Sequence, residues 1–228
     1  MSLPPSGRAG LLFDLDGTLA QTEDLHHAAF NALLADDGRA LDHAAFVRHV
    51  SGRSNEDITA YLFPGKDDAE RERLAQRKER EFRALAADGV EATPGAHALL
   101  DWARARGIAT GLVTNAPREN ADLMLEVLRL NGAFDIVVSG AELAHSKPHP
   151  DPYLAALDAL ALDARRTVAV EDSRTGIAAA RAAGLDVVAM AGAATLASVA
   201  DSGAALTVED MTDVRLYVFL ADRLRVAL

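Results

Sequence analysis

Short apolar runs recur along the chain at Ala9 to Phe13, Ile108 to Val113, Asp135 to Val138, Thr167 to Val170 and Asp186 to Met190. Each is uncharged inside, as a strand covered on both faces must be. Between them lie longer segments with apolar residues at helical spacing, predicting helices over Glu119 to Leu130, Pro152 to Leu160, Arg174 to Ala183 and about Asp210 to Arg225. Gly184 after Arg181-Ala182-Ala183 and Gly107 after Arg104-Ala105-Arg106 read as helix stops, with basic residues in the last turn and glycine just beyond. This alternation predicts an α/β fold with a parallel sheet and crossover helices.

More than 90 residues separate the first predicted strand from the second. That is far beyond a normal crossover connection, so the gap must hold structure of its own. From Thr22 to Ala87 the pattern is helical: Leu25, Ala29, Leu33 and Leu34 form one stripe, followed by Phe46 and Val50, then Ile58, Tyr61 and Leu62. A mixed-charge helix from Asp67 to Ala87 closes the segment. We therefore expect a catalytic core over 1–19 and 90–228, and a small all-helical cap over 20–89 inserted after the first strand. The alternating charges from Glu70 to Arg83 read as a solvated helix face. Trp102 is expected to pack the helix after Gly95 onto the sheet.

Half of the 228 residues are apolar, enough for a substantial core. The 23 basic and 34 acidic residues give a net charge of −11, which argues against nucleic-acid and anionic-membrane partners. Any anion bound here needs a local exception. The chain has no cysteine, which removes disulfides, thiolate zinc sites and thiol nucleophiles. Leu11-Leu12-Phe13 stops at Asp14 without a cleavage pattern, and the uncharged stretch Val187 to Ala200 is too short and too polar to span a bilayer. A cytoplasmic protein, monomeric or a weak homodimer, is expected.

Candidate chemistry begins at Asp14-Leu15-Asp16-Gly17-Thr18. Two carboxylates at i and i+2 after an extended run project to one side, where they repel each other and call for a divalent cation, a shared proton or both. Alone, such a segment reads as a turn at a strand end. Three other strands, however, are followed by polar clusters: Thr114-Asn115, Lys147 in His145-Ser146-Lys147-Pro148-His149-Pro150, and Glu171-Asp172-Ser173. Taken singly these read as a turn or helix cap before Pro117, a surface lysine and a solvated turn. Jointly they fall at strand carboxyl ends, where open α/β sheets bind ligands. His145 and His149 lack metal-ligand spacing on a helix and read as loop residues.

This ordered set resembles the haloacid dehalogenase superfamily of phosphotransferases, in the subfamily with a helical cap after the first motif, over about Leu11 to Ala191. The resemblance implies a Rossmann-like three-layer core and an enzyme. Asp14 would be the nucleophile that forms an aspartyl-phosphate, and Asp16 the general acid and then base. Thr114, with Asn115 beside it, would bind the phosphoryl group, and Lys147 would neutralise charge. Mg²⁺ would be held by Asp14, the Asp16 carbonyl and Asp172, with Glu171 supporting. A second aspartate two residues after the first favours phosphate esters over haloacids, because the leaving oxygen of an ester needs a proton.

Within the cap, the resemblance to β-phosphoglucomutase and related phosphatases places His26 near the hinge, Lys78 toward substrate, and Val50-Ser51-Gly52-Arg53-Ser54-Asn55-Glu56 as a specificity loop. Gly52, Arg53, Asn55, His26 and Lys78 are thus the candidate substrate contacts. From residue type alone, His26 also reads as a partly exposed surface residue and Lys78 as part of a charged face. Asn55 stands where the mutase uses an arginine for a second phosphate, and Thr114-Asn115-Ala116-Pro117 departs from the mutase's Ser-Ala-Ser type. We therefore expect a Mg²⁺-dependent phosphatase on a small phosphorylated metabolite, of the sugar-phosphate or phosphoglycolate class. A hexose-phosphate mutase is the alternative, followed by a non-catalytic binding module. Cap closure is expected to exclude water and to bring Arg53 and Lys78 over the substrate.

Overall fold

The computed structural model describes residues 7–51, 53–191, 199 and 201–228. It divides into two compact units, Met1–Ala20 with Glu91–Leu228, and Gln21–Val90.

The first unit is built on a six-stranded parallel sheet: β1 (Arg8–Phe13), β2 (Ala109–Thr114), β3 (Ile136–Ser139), β4 (Leu162–Glu171), β5 (Asp186–Met190) and β6 (Leu206–Val208), in the order β3-β2-β1-β4-β5-β6. From β1 the chain winds outward to β3, then returns to β4 on the other side of β1. The switch point therefore falls between β1 and β4. Side chains alternate across this sheet with period two. Leu12 pairs with Gly111 and Ala169 in register, and Val113 with Val138. This face packs with Tyr153, Ala156 and Leu157 of α7 (Asp151–Ala159) and Ile177, Ala179 and Ala180 of α8 (Arg174–Ala182) in one buried cluster. Leu11, Phe13, Leu112, Val168 and Val170 alternate onto the opposite face and are wholly buried. Helix α5 (Ala96–Ala105) contacts β2, and α9 (Val214–Leu224) contacts β4, giving the Rossmann-like α/β layering. Helix α6 (Arg118–Val127) lies against β3.

Two elements differ from expectation. Strand β6 escapes the sequence pattern because it is only three residues long, too short to show a period. Strand β4 begins five residues before the apolar run that announces it, at a register irregularity opposite Arg8 and Gly10. Trp102 is half-buried and meets Tyr217 of α9 edge-on at 5.7 Å, with Arg106 stacked 4.6 Å from its ring. It therefore packs α5 against α9, while Leu99, Leu100 and Ala103 form the buried face of α5. Among the described residues, no helix is long and apolar enough to cross a membrane.

The second unit holds α1 (Glu23–Leu34), α2 (His43–His49), α3 (Asn55–Leu62) and α4 (Asp68–Ala87). Their starts are chemically marked. Asp42 and Ser54 accept backbone N–H bonds as N-caps, and Asp67 forms a reciprocal capping box with Glu70. Phe30, Leu33, Leu34, Phe46, Val50, Ile58, Leu62 and Phe63 make the core of this unit. Tyr61, predicted on that stripe, faces outward and stacks on His49 at 4.6 Å. Ile58 and Leu62, four apart, take the inward positions instead. Helix α4 is not uniformly solvated: Lys66–Glu70 and Arg77–Glu81 pair on the outside, whereas Lys78 and Glu79 are buried.

Candidate active site

Where β1 ends, the turn Leu15 to Ala20 is closed by Gly17 N–H to Ala20 C=O (2.8 Å) and Leu19 N–H to Leu15 C=O (2.8 Å). Gly17 has φ +84°, and a Cβ there would collide with the Asp172 carboxylate, so glycine both makes the turn and clears space for the second acidic segment. Asp14 is buried and Asp16 half-buried. The hydroxyl of Thr18 lies 3.4 Å from Asp172 Oδ1, and its carbonyl accepts from Thr93 (2.8 Å).

Lys147 reaches this point from the loop after β3. Its ammonium donates to Asp14 Oδ1, Glu171 Oε1 and the Val113 carbonyl, each at 2.6 Å, which uses all three N–H groups. Asn115 fixes the loop: its Oδ1 accepts from the Lys147 N–H (3.0 Å) and its Nδ2 donates to the Lys147 carbonyl (3.1 Å). The Asn115 side chain thus holds lysine backbone, a role that its residue type alone does not reveal. Buried Thr114 accepts from Ala116 N–H with its hydroxyl oxygen (3.0 Å), a bond that leaves the hydroxyl proton to donate.

Glu171 ends β4 on the side chain face of Ala169, which points toward α7 and α8. There Oε1 accepts from both Lys147 and the Tyr153 hydroxyl (2.8 Å), and Oε2 accepts from Ser173 (3.2 Å). Ser173 also N-caps α8 by accepting from Gly176 N–H. Tyr153 and Gly176 were not legible as site residues. Tyr153 sits on a helical stripe that reads as core, and Gly176 as an ordinary helix residue.

Carboxylate oxygens of Asp14, Glu171 and Asp172 lie within 4.8 Å of one another. Burial first, then the neighbouring carboxylates Glu171 and Asp16, against the lowering effect of Lys147, push the Asp14 carboxyl up to about 8. Asp172 is pushed well above the ordinary range by burial and by the charges of Asp14 and Glu171. Lys147 is raised despite its burial, because Asp14 and Glu171 hold its proton. Burial and Glu171 raise the Tyr153 hydroxyl too, so it stays a donor. One ammonium cannot balance these crowded carboxylates. Buried oxygen ligands with excess negative charge fit a hard divalent cation, and Glu171, with both oxygens already accepting, is better placed to anchor Lys147 than to ligate.

In the helical unit, Lys78 Nζ lies 2.9 Å from His26 Nδ1 and 3.0 Å from Glu79 Oε1, and 5.0 and 5.5 Å from the ring centres of Phe30 and Phe82. His26 stacks on Phe82 at 4.2 Å. Asn55 donates to Glu79 Oε1 (2.6 Å). Three of the candidate substrate contacts thus belong to one polar cluster around Glu79, in which Lys78 and Glu79 are buried and His26 and Asn55 half-buried. Arg53 is exposed, with no ion-pair partner among the described residues, and Gly52 lies outside the described residues.

An acidic, cation-ready centre at the switch point of a parallel α/β sheet, with a lysine aimed at the leading aspartate, defines a catalytic class of protein. The chain belongs to the haloacid dehalogenase-like hydrolases, whose family profile matches residues 11–190. Among its relatives is a phosphoglycolate phosphatase of Rhodospirillum rubrum, 37% identical over 212 residues, covering 90% of this chain and 88% of that one. Protein CbbY of Rhodobacter capsulatus is 37% identical over 188 residues, covering 78% and 83%. A crystal structure of a mutant CbbY from Rhodobacter sphaeroides in complex with xylulose-(1,5)bisphosphate superposes with a TM-score of 0.82 at 28% identity, covering 91% of this chain and 96% of that one.

Proposed function

We propose that the chain is a phosphatase for a small phosphate monoester, of the sugar-phosphate or phosphoglycolate class, acting through an aspartyl-phosphate on Asp14. The observation that carries this reading is the 2.6 Å bond from buried Lys147 to Asp14 Oδ1, beside Asp172 at the sheet's switch point. Phosphoryl transfer asks a protein mainly for an in-line nucleophile and positive charge around the equatorial oxygens. Asp14 attacks phosphorus as the ester P–O bond breaks, and Asp16 gives its proton to the leaving oxygen. Asp16 then takes a proton from water, whose oxygen attacks the aspartyl-phosphate and releases inorganic phosphate, restoring Asp14.

Lys147 offsets charge at the nucleophile throughout, Thr114 donates its hydroxyl proton to the phosphoryl group, and Asn115 and Tyr153 position Lys147 and Glu171. Magnesium, held by Asp14, Asp172 and the Asp16 carbonyl, would supply the further positive charge that the transferring group requires. Arg53, an exposed cation of the helical unit without an ion-pair partner among the described residues, is assigned a substrate contact. The mutase alternative is disfavoured at Asn55, a neutral amide already committed to Glu79 rather than a cation for a second phosphate.

A phosphate-release screen across phosphorylated metabolites, with and without Mg²⁺, tests this reading. Wild-type protein should release phosphate only with the metal, and acid quenching should trap phosphate on Asp14. A folded Asp14→Asn protein should do neither, and turnover retained by that variant would reject the mechanism.

A further inference from the structure

We propose that the loop carrying Lys147 contains a second metal site, for a divalent transition ion of the zinc type, formed by His145, His149 and Asp151. The three residues are spaced irregularly in sequence, and the loop folds them together. His149 N–H bonds back to the Ser146 carbonyl (2.9 Å), which turns the chain so that the two imidazoles stand 4.4 Å apart at a tilt of 31°. His145 Nδ1 is 2.9 Å from one Asp151 oxygen, and His149 Nδ1 is 3.0 Å from the other. One ligand atom from each residue lies within 4.8 Å of the others. A tetrahedral ion with bonds of about 2.0–2.1 Å keeps its ligand atoms roughly 3.3 Å apart, and each imidazole already stands within about 0.4 Å of that spacing from an Asp151 oxygen.

Ligand chemistry separates this site from the acidic centre. Two imidazoles and one carboxylate suit zinc, cobalt, nickel or copper, whereas the all-oxygen group at Asp14 suits magnesium. All three side chains are solvent-accessible, at 60%, 47% and 35% exposure, so an ion can enter without opening the fold. The ligands bracket Lys147, whose backbone Asn115 clasps from the other side. Occupancy would therefore pin both flanks of the segment that presents the active-site lysine.

The test titrates Zn²⁺ calorimetrically into the full chain in excess Mg²⁺ and follows Co²⁺ by its visible absorption. Wild type should bind one equivalent of Zn²⁺ that the His145→Ala/His149→Ala double variant lacks, and should give the intense visible bands of a low-coordinate Co²⁺ site, also lost in the double variant. Asp151→Asn should weaken the Zn²⁺ site by roughly tenfold or more. Circular dichroism and a retained Mg²⁺-induced rise in unfolding midpoint show that the double variant is folded. Equal Zn²⁺ uptake by wild type and double variant, or none by wild type, overturns the proposal.

Discussion

No carbon can be added to Gly176 without displacing the Glu171 carboxylate, because a Cβ at 176 would lie among that carboxylate's atoms. Glu171 is wholly buried and accepts from Lys147, Tyr153 and Ser173, so any retreat would strain those three hydrogen bonds. A glycine in the first turn of α8 therefore sets the depth at which the lysine's partner sits.

Gly176→Ala should accordingly destabilise the protein even though alanine favours helix. The propensity gain is at most about 1 kcal/mol, whereas overpacking a full core site costs about 1–3 kcal/mol. A net loss of about 1–2 kcal/mol in urea unfolding is expected, with a fall in turnover from the displaced Glu171–Lys147 pair. A stabilised variant would show that Glu171 moves freely.

Tyr153→Phe isolates the other support of Glu171. It removes a hydrogen bond to a carboxylate without changing ring packing, and bonds to charged groups contribute about 1.5–3 kcal/mol. Lys147→Met should cost more, about 3–5 kcal/mol, because it leaves Asp14 and Glu171 buried without their cation. Denaturant midpoints for the two variants should fall in that order.

Asp172→Asn should reverse the sign of the effect between metal-free and Mg²⁺-loaded protein. Burial and the charges of Asp14 and Glu171 raise this carboxyl well above its ordinary value, so at neutral pH the folded metal-free state is penalised by it. The amide removes that repulsion, and the metal-free midpoint should rise by a few degrees, each kcal/mol being roughly 2–4 °C for a chain of this size. Wild type should gain about 2.7 kcal/mol at a Mg²⁺ concentration of 100 times Kd, and the variant little. Phosphate release should drop by roughly a thousandfold, the scale of several kcal/mol of charge stabilisation. A variant that is less stable without metal would contradict the crowding.

Those predictions lean on residues whose legibility differed. Asp14, Asp16 and Asp172 stand out in the sequence because charged side chains follow apolar strands closely, and Lys147 because it lies in the proline-rich loop after another strand; burial explains the strands themselves: Leu11, Leu12 and Phe13 are fully covered. What packs against a carboxylate is harder to read. Tyr153 looks like any core aromatic until its hydroxyl is seen on Glu171, and Gly176 is silent because its function is an absent atom. Asn115 reads as a turn residue, since a side-chain clasp on backbone 32 positions away has no local signature. The alternating charges of α4 mislead in a different way. Periodicity places Lys78 and Glu79 on a solvated face, whereas Phe30, Phe82 and Asn55 enclose them.

That enclosed pair yields a pH prediction. Burial raises the Glu79 carboxyl, but the charge of Lys78 and the hydrogen bonds from Asn55 and Lys78 outweigh it and leave the group below its ordinary value of 4.5. A carboxyl depressed in the folded state stabilises fully above the unfolded value and loses that contribution as pH falls through the folded value. Wild type should therefore shed stability from just above pH 4.5 downward, more steeply than Glu79→Gln. At pH 7 the variant should be less stable by about 3 kcal/mol or more, since it leaves Lys78 buried without its anion. At pH 3 the gap should narrow. Urea midpoints for the two proteins between pH 3 and 7 measure it, and a gap independent of pH would mean that packing, rather than charge, sets the contribution of Glu79.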